Sequence, residues 1–193
     1  MKLLHVVSKE EDAYERGHAL GTQVKQLVKT NLEIYMKRFL HYGLSRQTVF
    51  TTARKFKPII EKHDQEMFQE IKGVADSTRL KLEEILALNV RYELIWGSWA
   101  GCTTIAVQPE ASKNGHILIG QNWDWIDSVR DSCHTWLIKR SGRPDLLCFT
   151  EAGIVGPKIG INSAGLCVTV NGLVSAEDGI KKGVPSVSYT HLR

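Results

Sequence analysis

The hydrophobic period of this chain changes at Gly101, and that change decides its fold class. Before it, Leu20, Val24, Leu27, Val28, Leu32, Tyr35, Met36 and Phe39 recur at spacings of three and four, the stripe of an amphipathic helix. After it, Thr103, Thr104, Ile105, Ala106 and Val107 form a β-branched run, and short apolar segments alternate with Gly, Asn, Ser and Pro turns. A helical N-terminal half is followed by a β half.

The helical half divides further. Asp12 is placed to cap a helix that runs to about Gly43. Residues 45–60 and 63–75 give two more amphipathic stretches, interrupted at Pro58, and residues 81–96 give a fourth that Gly97 stops. Residues 2–8 form a short strand ahead of them. In the second half, residues 116–119, 135–139, 146–150, 158–161 and 166–170 are strand candidates, and an antiparallel sheet is expected. No Pro- or Ser-rich linker marks the border at 101, so a helix-to-sheet junction inside one α+β domain is expected.

Composition narrows the function classes. The net charge of +4 is modest, and Lys and Arg are interleaved with Asp and Glu, which argues against a nucleic-acid partner. Apolar runs such as Ile117-Leu118-Ile119 are too short to span a bilayer, and the first seven residues lack a cleavage-type ending. No membrane partner and a cytoplasmic location are expected. The four cysteines, Cys102, Cys133, Cys148 and Cys167, have no CxxC spacing, so neither a zinc site nor a disulfide framework is indicated.

One cysteine stands apart. Cys102 follows Gly101 at the start of a predicted strand, where glycine permits backbone conformations and close approaches that a Cβ resists. A thiol there can attack the carbonyl just before it, and hydrolysis of the resulting thioester leaves Cys102 as the first residue of a new chain. Its α-amine, with an intrinsic pKa of about 8, is then a base beside its own thiol, and no histidine, metal or cofactor is required. Asn114-Gly115 is a hairpin signal. With a three-residue loop at 113–115, Ser112 pairs with His116 and Asp124 stands opposite Thr104, whereas a two-residue loop would put Asp124 on the wrong face. Thr104 shares a face with Cys102, which puts Asp124 roughly 7 Å away on the diagonal, ready to hold an ammonium or orient groups during cleavage. The other reading of Asp124 is a solvated strand-end carboxylate.

Gly101-Cys102-Thr103-Thr104, then Asn114-Gly115-His116, then Gly120-Gln121-Asn122-Trp123-Asp124-Trp125 together resemble the C45 peptidase family of N-terminal nucleophile hydrolases. Tyr14-Glu15-Arg16-Gly17 with Gly21 is similar to that family's amino-terminal signature, and residues 150–156 with 160–166 to its later strand pair. The resemblance implies an αββα sandwich, synthesis as an inactive precursor, and autoproteolysis between Gly101 and Cys102. The products would be a helical α chain, residues 1–101, and a β chain beginning with residues 102–193, which stay associated. It further implies that Cys102 is the nucleophile, Thr104 a residue assisting maturation and Asp124 the active-site carboxylate. Asn171 resembles a side-chain amide near the oxyanion, and reads equally as a turn cap. The implied activity is hydrolysis or acyl transfer on a small-molecule acyl amide or acyl-CoA, without a cofactor, in a monomer or a homo-oligomer. Family members act on penicillin side chains, bile-salt conjugates, acyl amides and ceramides.

Other residues carry two readings each. His116 and His134 would serve a cysteine–histidine amidase, or are ordinary surface or core histidines. Trp123, Trp125 and Trp136 line an acyl pocket or the core, and Glu151 faces substrate or ends a strand. Residues 153–160 lack the phosphate-loop ending and dinucleotide spacing, and read as a turn. Residues 181–185 keep the family pattern, but 186–193 lack the apolar period of the helix with which the family continues. A C-terminally truncated, incomplete sandwich with exposed strand edges and apolar faces is the expectation, and a non-catalytic fragment or interaction module is the alternative function.

Overall fold

A computed structural model describes residues 3–95, 101–156, 159–172 and 183–186. The helical half begins after a short strand, β1 (Leu4–Ser8). Helix α1 (Ala13–Gln23) starts where the Asp12 carboxylate accepts the Glu15 backbone N–H at 3.0 Å. The long helix expected to reach Gly43 is two helices that part at Val24, with α2 spanning Lys25–His41. The break lets α1 lie against the helix of residues 65–78 while α2 turns Val28, Leu32, Tyr35 and Phe39 into the core. Gly43, at φ +75°, closes α2, and the Leu44 N–H reaches back to the Phe39 carbonyl.

Helix α3 (Arg46–His63) runs through Pro58 instead of stopping there. Pro58 lies on the exposed side, so the hydrogen bond it cannot make is left to water, while Val49, Ala53, Phe56 and Ile60 stay buried on the other side. Helix α4 (Gln65–Thr78) is capped by Asp64 and ends at Arg79, which takes the left-handed conformation. The segment expected to form one last helix is divided into α5 (Leu82–Asn89) and α6 (Arg91–Leu94), and Gly97 lies outside the described residues.

The contact between α1 and α4 explains the amino-terminal signature. A Cβ on Gly17 would lie 2.0 Å from the Glu70 carbonyl oxygen, and one on Gly73 would lie 2.1 Å from that of Tyr14. Only glycine allows backbones this close. Arg16, buried beside this contact, pairs with buried Glu70 at 3.0 Å and donates to the Glu10 and Glu11 carbonyls.

The β half supplies β2 (Cys102–Val107), β3 (Leu118–Trp123), β4 (Cys133–Ile138), β5 (Leu146–Glu151), β6 (Ile159–Asn162) and β7 (Cys167–Val168). Five strands pair in the order β1-β4-β5-β6-β7, and β2-β3 form a separate two-stranded sheet. The expected antiparallel pairing holds from β4 to β7, but β1 runs parallel to β4, because the whole helical half forms the crossover between them. The fold is mixed α+β.

Alternation along the strands decides which side of the large sheet is dry. Trp136, Ile138, Leu146 and Cys148 are buried with the helical core. On the other face Leu147 and Ile161 are 45% and 46% exposed, and Ile105, Leu118 and Ile119 of the hairpin are exposed too. A groove of about 530 Å³ there is lined by Ile117, Leu118, Leu147, Phe149, Ile161 and Cys167. An apolar face of this extent is unusual for the outside of a finished domain. Among the described residues no helix is long and apolar enough to cross a membrane.

Candidate active site around Cys102

Strands β2 and β3 place the thiol, with Cys102 opposite Trp123 and Thr104 opposite Gln121. This corrects the expected register, which set Asp124 against Thr104. Pro109 is the physical reason: it has no N–H for a ladder, and pairing ends at Val107 and Leu118. The chain instead takes a 3₁₀ turn at Pro109–Ala111 and reverses at residues 112–115, with Gly115 left-handed at φ +67° as expected of it.

The register moves Asp124 across from Gly101. Its backbone N–H donates to the Gly101 carbonyl at 3.0 Å, so the carbonyl of the Gly101–Cys102 peptide bond is held by Asp124. A Cβ built on Gly101 would meet Asp124 Oδ2 at 3.4 Å, an ordinary contact. Among the described residues, none approaches Gly101 so closely that a Cβ would be resisted.

Cys102, Thr104, Gln121 and Trp123 alternate onto one half-buried face, while Thr103, Asn122 and the neighbouring Asp124 are exposed. Asn171 comes to this face from beyond β7. Its Oδ1 accepts from Thr104 Oγ1 at 3.1 Å and from Gln121 Nε2 at 3.2 Å. Gln121 also grips the backbone of Val170, donating to its carbonyl and accepting its N–H at 3.2 Å. Those bonds replace the ladder expected over residues 166–170, and β7 shrinks to two residues. Three of the expected site residues, Cys102, Thr104 and Asn171, thus share a face, and Gln121 joins them unanticipated. Its signal lay in the parity of β3, two residues before Trp123.

Behind this face lies a buried aromatic and ionic network. Trp123 and Trp125 stack at 6.2 Å, and Tyr92 meets Trp125 edge-on at 5.0 Å. Burial pushes the Tyr92 hydroxyl up to about 12, against the pull of Arg91, whose guanidinium lies 4.1 Å from its ring centre; the nearby Cys102 and Glu151 push the same way as burial. Trp125 Nε1 donates to the Tyr35 hydroxyl at 2.7 Å, Arg91 Nε donates to it at 3.1 Å, and Tyr35 in turn donates to Glu151 Oε2 at 2.7 Å. Arg91 Nη2 reaches Glu151 Oε1 at 2.9 Å. Burial works against the Arg91 charge, but Glu151 overcomes it and raises its pKa. Burial likewise lifts Tyr35 well above the usual tyrosine value.

Glu151 is thus the strand-end charge of the second reading, the last residue of β5, but it is buried and ion-paired and does not face outward. The turn after it carries Gly153 at φ +91°, and its backbone groups are met by Asn31 and Asn89 from the helices. Of the tryptophans, Trp136 is core, with Nε1 on Ser8 Oγ at 2.9 Å, whereas Trp123 and Trp125 are partly buried beside the site.

Neither histidine is brought to the thiol. His116 is exposed beyond the Val107–Leu118 end of the hairpin, while Cys102 starts the other end. His134 is fully buried on the helix-covered side with Trp136, and burial pushes it down to about 4, only partly offset by the Ser132 backbone. Among the described residues, no group of three His, Cys, Asp or Glu side chains is arranged to hold a metal ion. None of the four cysteines is in a disulfide.

No protein-family model matches the chain. It is 34% identical over 180 residues to acyl-coenzyme A:6-aminopenicillanic-acid-acyltransferase 40 kDa form of Emericella nidulans, covering 89% of this chain and 47% of that protein. Acid ceramidase of Heterocephalus glaber is 23% identical over 86% of this chain and 44% of its own length. Acid ceramidase of Mus musculus is 27% identical over 72% of this chain and 34% of its own. The chain spans about half the length, or less, of these relatives.

Proposed function

Because the chain belongs to the N-terminal nucleophile hydrolases, in the family of the acyltransferase and the ceramidases, we propose that Cys102 is the nucleophile of an amide-bond hydrolase or acyltransferase. The chain frees that nucleophile itself. The supporting observation is the Asp124 N–H on the Gly101 carbonyl, a donor already in place where negative charge would develop. Cys102 Sγ attacks that carbonyl carbon, and its oxygen becomes the oxyanion held by Asp124. The Gly101–Cys102 C–N bond then breaks as the nitrogen gains a proton, leaving a thioester. Water hydrolyses it to a Gly101 carboxylate and a free Cys102 amine and thiol. Residues 1–101 and 102–193 remain together through the core that both supply.

In the cleaved protein the Cys102 amine takes the thiol proton as the sulfur attacks an acyl amide or acyl thioester. The Asp124 carboxylate steadies the ammonium, the Asn171 amide donates to the oxyanion, and Thr104 assists maturation. The acyl group passes to water or to an amine. Two of the relatives' names support this range: one names acyl-coenzyme A, and a ceramide is itself an acyl amide. The uncovered apolar face of the large sheet, with the hairpin beside it, supports reading the whole as part of an αββα sandwich. A cytoplasmic setting, with no metal or cofactor, goes with this reading.

Incubating the cleaved protein with p-nitrophenyl acetate tests the nucleophile. One acetyl group on Cys102, found by peptide mass, and its loss in Cys102→Ala are expected. Acetylation elsewhere, or unchanged p-nitrophenolate release by Cys102→Ala, contradicts the proposal.

A further inference from the structure

Three hydrogen bonds around Gln121 settle the orientation of two amides. A side-chain amide has a donor end and an acceptor end. Val170 offers Gln121 both its N–H and its carbonyl, so Gln121 must place Oε1 on the first and Nε2 on the second. With Nε2 fixed, its second proton meets Asn171 Oδ1, and Thr104 Oγ1 donates to that same oxygen. Both lone pairs of the oxygen are then in use. The Asn171 NH₂ group is left as the end that faces no described partner.

We propose that Gln121 is a positioning residue that, with Thr104, holds the Asn171 amide by its oxygen so that its N–H donors are presented to the oxyanion formed at Cys102. This rests on the reading of Cys102 and Asn171 given above. Gln121 acts through Asn171 and touches no reacting atom. Without the grip, the amide can turn over and present its oxygen to the oxyanion, converting a stabilising contact into a repulsive one. The same grip joins the segment after β7 to the hairpin, which no backbone ladder does among the described residues. Self-cleavage uses a different donor, the Asp124 N–H, so the two reactions separate the role of Gln121 from mere support of the fold.

The test uses Gln121→Glu, near in shape but unable to donate to Val170 or Asn171, together with Asn171→Ala and the double variant. Self-cleavage is followed by intact mass, and acetylation of Cys102 by p-nitrophenyl acetate. Gln121→Glu and Asn171→Ala are each expected to lower kcat on the order of 10²-fold with KM little changed, as for loss of one oxyanion donor. The double variant is expected to be no slower than Asn171→Ala, since one path is broken twice. Self-cleavage is expected within about threefold of wild type in Gln121→Glu, far less than the loss of one oxyanion donor.

Thr104→Val removes the second donor and also the hydroxyl that assists maturation, so it is compared on its cleaved fraction, where it is expected to lose less acetylation than Gln121→Glu. Wild-type acetylation rates in Gln121→Glu, losses that multiply in the double variant, or self-cleavage slowed as much as acetylation would each overturn the inference while leaving Cys102 as nucleophile. Failure of the wild-type protein to acetylate at Cys102 removes the proposed function itself.

Discussion

Arg91 Nη2 lies 2.9 Å from Glu151 Oε1, with both side chains out of water and with the Tyr35 hydroxyl bonded to each. Removing one member of such a pair leaves a buried charge uncompensated. Glu151→Ala is expected to lose about 3–5 kcal/mol of stability, read by urea denaturation. Tryptophan fluorescence is expected to change with it, because Tyr35 also anchors Trp125. A variant as stable as wild type would show that the pair does not hold the aromatic floor in place.

His134 gives a pH dependence of definite sign. Its folded pKa, about 4, lies below the ordinary value of 6.5, so between these values the unfolded chain binds more protons. The contribution of His134 is fully present above pH 6.5 and is lost as pH falls toward 4. Full protonation costs roughly 3 kcal/mol. Denaturation of wild type and His134→Asn at pH 7 and pH 4.5 is expected to show the steeper loss in wild type, and parallel losses would contradict this.

Gly17→Ala places a methyl group where the Glu70 carbonyl oxygen already sits, 2.0 Å away. Because backbone faces backbone, no side chain can rotate aside. A loss of about 3 kcal/mol is expected from the forced separation of α1 and α4, measured as a shift of the urea midpoint. A change within about 0.5 kcal/mol, the range of ordinary surface substitutions, would show that these helices yield easily.

Gly101→Ala is expected to behave differently. With only an ordinary contact at 3.4 Å awaiting the added Cβ, the variant is expected to fold like wild type and to cleave itself within about tenfold of the wild-type rate, a difference near 1.4 kcal/mol in barrier. Complete loss of cleavage would mean that the reacting geometry needs a glycine.

The sequence made the fold class legible because period is local: the stripe from Leu20 to Phe39 and the β-branched run after Cys102 need no knowledge of partners. Parity likewise put Thr104 on the Cys102 face. The hairpin register was not legible in Asn114-Gly115 alone, because Pro109 ends the ladder earlier. Glu151 and Arg91 were opaque for another reason: their meeting depends on helix-on-sheet packing across 60 residues of chain. Pro58 showed the same limit, since only its exposed placement makes an unbroken helix affordable.

The most direct measurement of the central claim is the intact mass of the purified protein and of Cys102→Ala after incubation at neutral pH. Two pieces from wild type, ending at Gly101 and beginning at Cys102, and one uncut chain from Cys102→Ala are the predicted result. An uncut wild-type chain, or a cut that persists in Cys102→Ala, would contradict it.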